Sequence, residues 1–295
     1  MTRFFAQLFE FEREETAGET LRFQVFQAFV LGMAVYWAWV WGLDIERIPA
    51  IIAPQGIARD IDLSFLAGSQ LPLAIAALVT LCAAGAWPER TARGSLTLLV
   101  VLLHVQYVAR HCLGKVAHGS QYVGLGILML TLAAWLMPSG SAQRRFALGS
   151  TLLFMGTGYM FAAFSKLFAR GLAWPDGHHL WMWIAEKGID VTSDLGAERL
   201  NLVQRLSLEH WWVATALLAG GLVTELCGML LWFRSTRTYA TVAFVGLHVG
   251  VYASLGILFD AYIVQLLIVG LPLPLLFDRG LQWRRQRRGN LPLRV

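Results

Sequence analysis

Lys166 lies inside the apolar run Tyr159-Met-Phe-Ala-Ala-Phe-Ser-Lys166-Leu167, and a Trp174-Pro-Asp-Gly177 turn follows it. A lysine in or near hydrocarbon must find a partner, snorkel to water along its stem, or give up its proton. In the last case it is a base. His104, His111, His118 and His248 occupy similar apolar contexts, as does Glu225 in Val-Thr-Glu225-Leu-Cys-Gly. Each of these also has a purely structural reading. His104 can hydrogen-bond a neighbouring helix, and Glu225 can be protonated and bonded to a carbonyl. Clustered in the outer half of the spans, they suggest a polar cavity opening away from the cytoplasm, in which neighbours and desolvation shift proton affinities. His104 and His248 also have the residue type of axial haem ligands. Cys82, Cys112 and Cys227 are scattered without a CxxC pair, which suggests neither a disulfide framework nor a metal site.

The elements that must position these groups are membrane helices. Hydrophobic residues make up 57% of the 295 and charged residues 15%, and the mean hydropathy is +0.56. Apolar runs long enough to cross a bilayer fall near 22–42, 63–86, 94–112, 119–137, 146–168, 211–233, 238–258 and 261–277. The expected fold is therefore an all-α polytopic bundle of about eight spans forming one integral-membrane domain over 1–295. Residues 1–21 form its N-terminal segment, 22–277 the core and 278–295 a basic tail. Asp260 alone separates the last two runs, and Pro272 and Pro274 should bend or end the final helix. Phe4-Phe5-Ala-Gln-Leu8-Phe9 reads as a short amphipathic helix on the membrane surface rather than a cleaved signal.

Charge sets the expected orientation. With eight alternating spans, Arg90, Arg93, Arg144, Arg145, Arg234, Arg237 and the tail arginines share one side, which should be cytoplasmic. Both termini are then on the cytoplasmic side of the plasma membrane, and the site faces the outer side. Arg284-Arg-Gln-Arg-Arg288 reads as a topology signal and anionic-lipid contact, not a nucleic-acid patch. The long outer connection 169–210 holds Trp174, Trp181 and Trp183, with Trp211 and Trp212 just beyond. It reads as an interfacial lid, with a helix starting near Ser193. Lys166, His111 and His118 then fall near the outer face, His104 and His248 mid-span, and Glu225 about two turns or more into the sixth span.

Three stretches carry a resemblance. Tyr159-x-x-Ala162-x-x-x-Lys166-Leu167 with Trp174-x-x-Gly177 resembles the motif around the essential lysine of the vitamin K-dependent gamma-glutamyl carboxylase and its bacterial membrane relatives, the horizontally transferred transmembrane domain family. Ala117-His118-Gly-Ser-Gln-Tyr122-Val-Gly124 resembles that family's histidine-tyrosine segment. Phe244-Val-Gly-Leu-His248 with Gly256-Ile-Leu-Phe259 resembles its later histidine helix, and the Leu-Pro-Leu-Pro at 271–274 fits as well. The match covers about 100–277. Ala117 stands where the family has asparagine and Ser165 where it has a second lysine.

The resemblance implies an enzyme that uses a reduced naphthoquinone of the vitamin K or menaquinol type, with O2 and CO2 as possible co-substrates. Lys166 would be the base towards the quinol, with His118 and His248 positioning its oxygens. Tyr122, Tyr159, Phe164, Trp174, His104 and Glu225 would line the cofactor chamber. The acceptor is left open among a small molecule, a lipid and a peptide. A DoxX-like redox subunit binding quinone or haem, and a non-catalytic membrane assembly protein, are the alternative readings.

Overall fold

The computed structural model describes residues 3–48, 53–114, 118–196 and 200–289, and the side chain of His118 lies outside what it describes. The described residues form helices and turns and no strand. The α-helices are α1 Arg3–Phe9, α2 Ala17–Glu46, α3 Leu71–Gly85, α4 Glu89–His111, α5 Gln121–Leu136 and α6 Ser141–Arg170. They continue with α7 Gly177–Leu195, α8 Leu202–Glu209, α9 Trp211–Leu226, α10 Arg234–Leu255, α11 Asp260–Gly270 and α12 Leu273–Gly289. Among the described residues, five segments are long and apolar enough to cross a membrane: Ala17–Glu46, Glu89–His111, Ser141–Ala173, Trp211–Leu231 and Arg234–Leu255. Counting Asp260–Gly270 with Leu273–Trp283 as one broken span makes six. The break is chemical, because Pro272 has no N–H to continue the ladder.

Two further apolar helices are shorter. At 1.5 Å per residue, α3 with 15 residues and α5 with 16 reach roughly 22–24 Å, less than the roughly 30 Å of a hydrocarbon core. The apolar run that starts at residue 63 becomes helical only from Leu71. Ahead of it stand a 3-10 turn at Ser64–Leu66, Gly68 at a φ of +66° and Pro72 in the first turn of α3.

The chain divides into two compact units, one comprising Met1–Thr151 with Pro272–Val295, the other Leu152–Leu271. In the first, α2 is the central element. A capping box starts it: Thr16 Oγ1 accepts from the Glu19 N–H at 3.2 Å, and Glu19 Oε2 accepts from the Thr16 N–H at 3.1 Å. Phe26, Val30, Ala34, Ala38, Trp41 and Ile45 then recur every three or four residues and are fully buried. Gly18 lets α12 approach, since its N–H donates to Asp278 Oδ1 at 2.7 Å and an added Cβ would strike the Pro274 carbonyl. The Phe-rich N-terminal stretch does form a helix, and it docks on protein: Phe9 stacks on Phe146 at 5.4 Å. Beside it, Arg144 pairs with Glu15 and Arg145 with Glu19, so these two arginines have structural partners as well as a place in the charge pattern.

In the second unit, α6 and the α9 end approach through glycines. A Cβ on Gly228 would collide with the Gly156 carbonyl and lie 3.0 Å from Met160 Cγ. Small residues at such a crossing allow the backbone contact that holds membrane helices together, where lipid removes the usual hydrophobic drive. Trp232 Nε1 donates to the Leu153 carbonyl at 3.1 Å across the same crossing, and Arg237 Nε donates to the Leu231 carbonyl at 3.1 Å. Much of the 169–210 connection is helical. Asp176 caps α7, Gly196 ends it at a φ of +67°, and an Asn201–Gln204 capping box starts α8. The helix expected from Ser193 begins instead at Leu202, with Asn201 as its N-cap, because Ser193 is still inside α7. Asn201 Nδ2 and Gln204 Nε2 donate to the Ala253 and Ser254 carbonyls at 2.7 and 3.2 Å, tying α8 to the end of α10.

Two outcomes follow. Gly228→Leu should lower thermal stability in detergent by roughly 1–3 kcal/mol or more, whereas Gly246→Ala, with nothing within 4 Å of its Cβ position, should unfold like wild type. Glu15 is held below the ordinary carboxylate range, chiefly by its hydrogen bond from Arg144. Its contribution is complete above the unfolded glutamate value and is lost as pH falls through the lower folded value. A melting-temperature series against pH should thus show wild type above Glu15→Gln near neutrality, with the two converging in acid.

Candidate functional site

One face of α6 carries the site in the second unit. Tyr159, Ala163 and Lys166 follow at intervals of four and three and share a stripe that continues the buried Leu152 and Met155. Lys166 Nζ lies 2.5 Å from both Glu225 Oε1 and Glu225 Oε2. The lysine side chain is 28% exposed and the glutamate side chain 12%. The Trp174 ring covers the amine, its centroid 4.9 Å from Nζ. Lys166 therefore has a partner rather than only a path to water. Glu225 comes from the last turn of α9, whose C-terminal backbone carbonyls face a positive group favourably.

Two turns back along α6, the Tyr159 hydroxyl and His248 Nε2 are 2.7 Å apart. Tyr159 stacks on Phe244 at 3.9 Å, and His248 is 5.0 Å from Phe259 and 5.6 Å from Tyr262. Tyr159 and His248 are 5% and 6% exposed. This is an aromatic box built from α6, α10 and the start of α11. His248 Nδ1 is buried without a hydrogen-bond partner among the described residues. Whichever tautomer the histidine takes, one polar ring atom is unmatched in apolar surroundings, which costs about 1–3 kcal/mol when nothing binds it.

The structure thus brings together Lys166, Glu225 and Trp174, and separately pairs Tyr159 with His248. Phe164 packs against Phe168, with ring centroids 6.5 Å apart. His104 and Tyr122 belong to the first unit, as does His118. His104 is exposed to a cavity of about 380 Å³ lined also by Trp37, Trp41, Tyr107 and Gly124. Its neighbours Trp37 and Trp41 each bury an indole N–H that lacks a partner among the described residues. Phe244, Phe259 and Tyr262 were not among the expected site residues. Phe244 could have been found from its place one turn before His248, but Tyr262 reaches the histidine only through the α10–α11 turn at Gly256, whose φ is +70°.

Chemically, the Lys166–Glu225 pair holds one proton between an amine and a carboxylate and can accept a second. No cluster of three or more His, Cys, Asp or Glu suited to a metal occurs among the described residues. No family model, curated protein or solved structure matches the chain.

If the pair is a unit, Lys166→Met should leave the Glu225 carboxyl buried alone and destabilise the protein by about 3–5 kcal/mol. Lys166→Met combined with Glu225→Leu should recover most of that loss. Unfolding of both single variants and the double variant in the same detergent reads the coupling directly, and a double-variant loss equal to the sum of the two single losses would mean that the two groups do not act together.

Proposed function

We propose that the chain is a membrane enzyme in which Lys166 and Glu225 together act as the base towards a reduced naphthoquinone, and in which oxygenation of that quinol drives proton abstraction from a second substrate. The bidentate Lys166–Glu225 contact within an apolar helical unit carries the reading. A lone amine, as the sequence suggested, must be neutral to take a proton. A pair that already holds one proton is neutral overall, and on taking the quinol proton it becomes a cation beside the anion it creates. The charges balance within the site, which matters where dielectric screening is weak.

A reduced naphthoquinone would supply four electrons to O2, two as the quinol becomes a quinone and two as the ring double bond becomes an epoxide, the second oxygen atom leaving as water. The protein's part would be to take a hydroxyl proton of the quinol at Lys166–Glu225 and to offer ring surface at Trp174. Tyr159 would hold His248 in one orientation, leaving Nδ1 to face a quinol oxygen. The residues fit such a ligand: the amine is partly accessible beside an aromatic face, and His248 carries an unmatched polar atom. His118, Tyr122 and Phe164 retain the roles that the resemblance to the gamma-carboxylase core implies. CO2 capture and the nature of the acceptor, whether small molecule, lipid or peptide, belong to the same proposal.

In the membrane we propose eight spans: the six above together with α3 and α5, which meet a thinner or locally adapted bilayer. The arginine distribution then puts both termini on the cytoplasmic side of the plasma membrane and Lys166 towards the outer side. A second reading rests on the His104 cavity, whose aromatic walls and unmatched indole N–H groups suit a quinone or haem in a DoxX-like redox subunit without carbon chemistry. A strong haem band that disappears in His104→Ala would favour it.

Purified protein given reduced naphthoquinone should consume oxygen and form epoxide. Lys166→Ala and Glu225→Gln should each lower that rate by roughly 10²-fold or more. An unchanged rate in either variant would sink the base assignment.

A further inference from the structure

A cavity of about 770 Å³ opens in the first unit where the first turns of α2, α4 and α6 meet the ends of α3 and α5. Its charged lining residues are Arg90, Arg93, Arg144 and Glu89. Arg90 and Arg93 have no carboxylate partner among the described residues. Arg93 instead lies 5.8 Å over the Trp135 ring. Arg144 uses Nε and Nη2 on Glu15, and its Nη1 makes no hydrogen bond among the described residues. Gln24 and Gln143 add amide groups to the wall. Arg90, Arg93 and Arg144 set against Glu89 and the Glu15 carboxylate that pairs Arg144 leave one net positive charge, to which three helix N-termini add, so the cavity is positive.

The surroundings narrow the ligand. Trp87 is 51% exposed beside the cavity, and Trp135, which flanks Arg93, is 57% exposed. Exposed tryptophans of this kind sit at the headgroup level of a bilayer. Guanidinium groups match phosphate oxygens by geometry as well as charge. Arg90 and Arg93 from α4 and Arg144 from α6 line one concavity.

We propose that this cavity is a phosphate site that seats the headgroup of an acidic membrane phospholipid. The site stands independently of the quinol chemistry, since none of its residues belongs to the Lys166–Glu225 cluster. Glu89 is the lining carboxylate beside Arg90 and Arg93, so Glu89→Gln should tighten binding.

The test uses full-length protein delipidated in neutral detergent and titrated with phosphatidylglycerol, phosphatidylcholine or inorganic phosphate, read by native mass spectrometry and thermal shift. Phosphatidylglycerol should bind and stabilise while phosphatidylcholine does not. Binding of inorganic phosphate with equal effect would keep the phosphate site but assign it to a soluble anion, overturning the lipid headgroup. Arg90→Gln with Arg93→Gln should weaken phosphatidylglycerol binding roughly tenfold to thirtyfold. Arg90→Lys with Arg93→Lys should stay within about threefold, which separates lost charge from misfolding, and Arg59→Gln, outside the cavity, should match wild type. Equal binding of phosphatidylcholine, or undiminished binding in the double glutamine variant, would overturn the proposal.

Discussion

A carboxylate held against a lysine inside apolar helices is the constraint around which the second unit is built. Removing either charge strands the other in a medium that solvates it poorly, so the elements that present them must keep their register. The α6 stripe supplies Lys166. The end of α9 supplies Glu225, and the Gly156–Gly228 crossing lets those two backbones come close enough for the side chains to meet. Trp174 covers the amine from the turn after α6. The same stripe presents Tyr159 to His248, so one helix face orders both polar pairs.

How much of this was legible in the sequence depends on the kind of signal. Spans announce themselves by composition, and the helices at 17–46, 89–111, 141–170, 211–226 and 234–255 fall where apolar runs predict them. Pro272 and Gly256 mark the break and the turn for backbone reasons that a single residue type states. Lys166, Glu225, Tyr159, His248 and Trp174 were each visible as residues out of place or within a motif. Their pairing was not, because Lys166 and Glu225 are 59 positions apart and nothing local says which helices touch. Capping residues competed in the 169–210 connection: Ser193 has the right type for a helix start, but Asn201 with Gln204 makes the box.

Pairing also changes the chemistry assigned to the lysine. As an isolated residue it suggested a neutral amine. Held by both oxygens of Glu225, it becomes half of a proton-sharing unit whose resting charge is zero. That arrangement explains why a lysine can be kept in this position without stranding a charge. The Tyr159–His248 pair contributes differently: its hydroxyl fixes one ring nitrogen and leaves the other buried without a hydrogen-bond partner among the described residues.

The most direct test is the absorption spectrum of a reduced naphthoquinone bound to the protein without oxygen. The pair acting as base predicts that wild type ionises the bound ring, giving the spectrum of the quinol anion, and that Lys166→Met and Glu225→Gln leave it neutral. A neutral quinol spectrum in wild type, or the same ionised spectrum in both variants, would contradict the account.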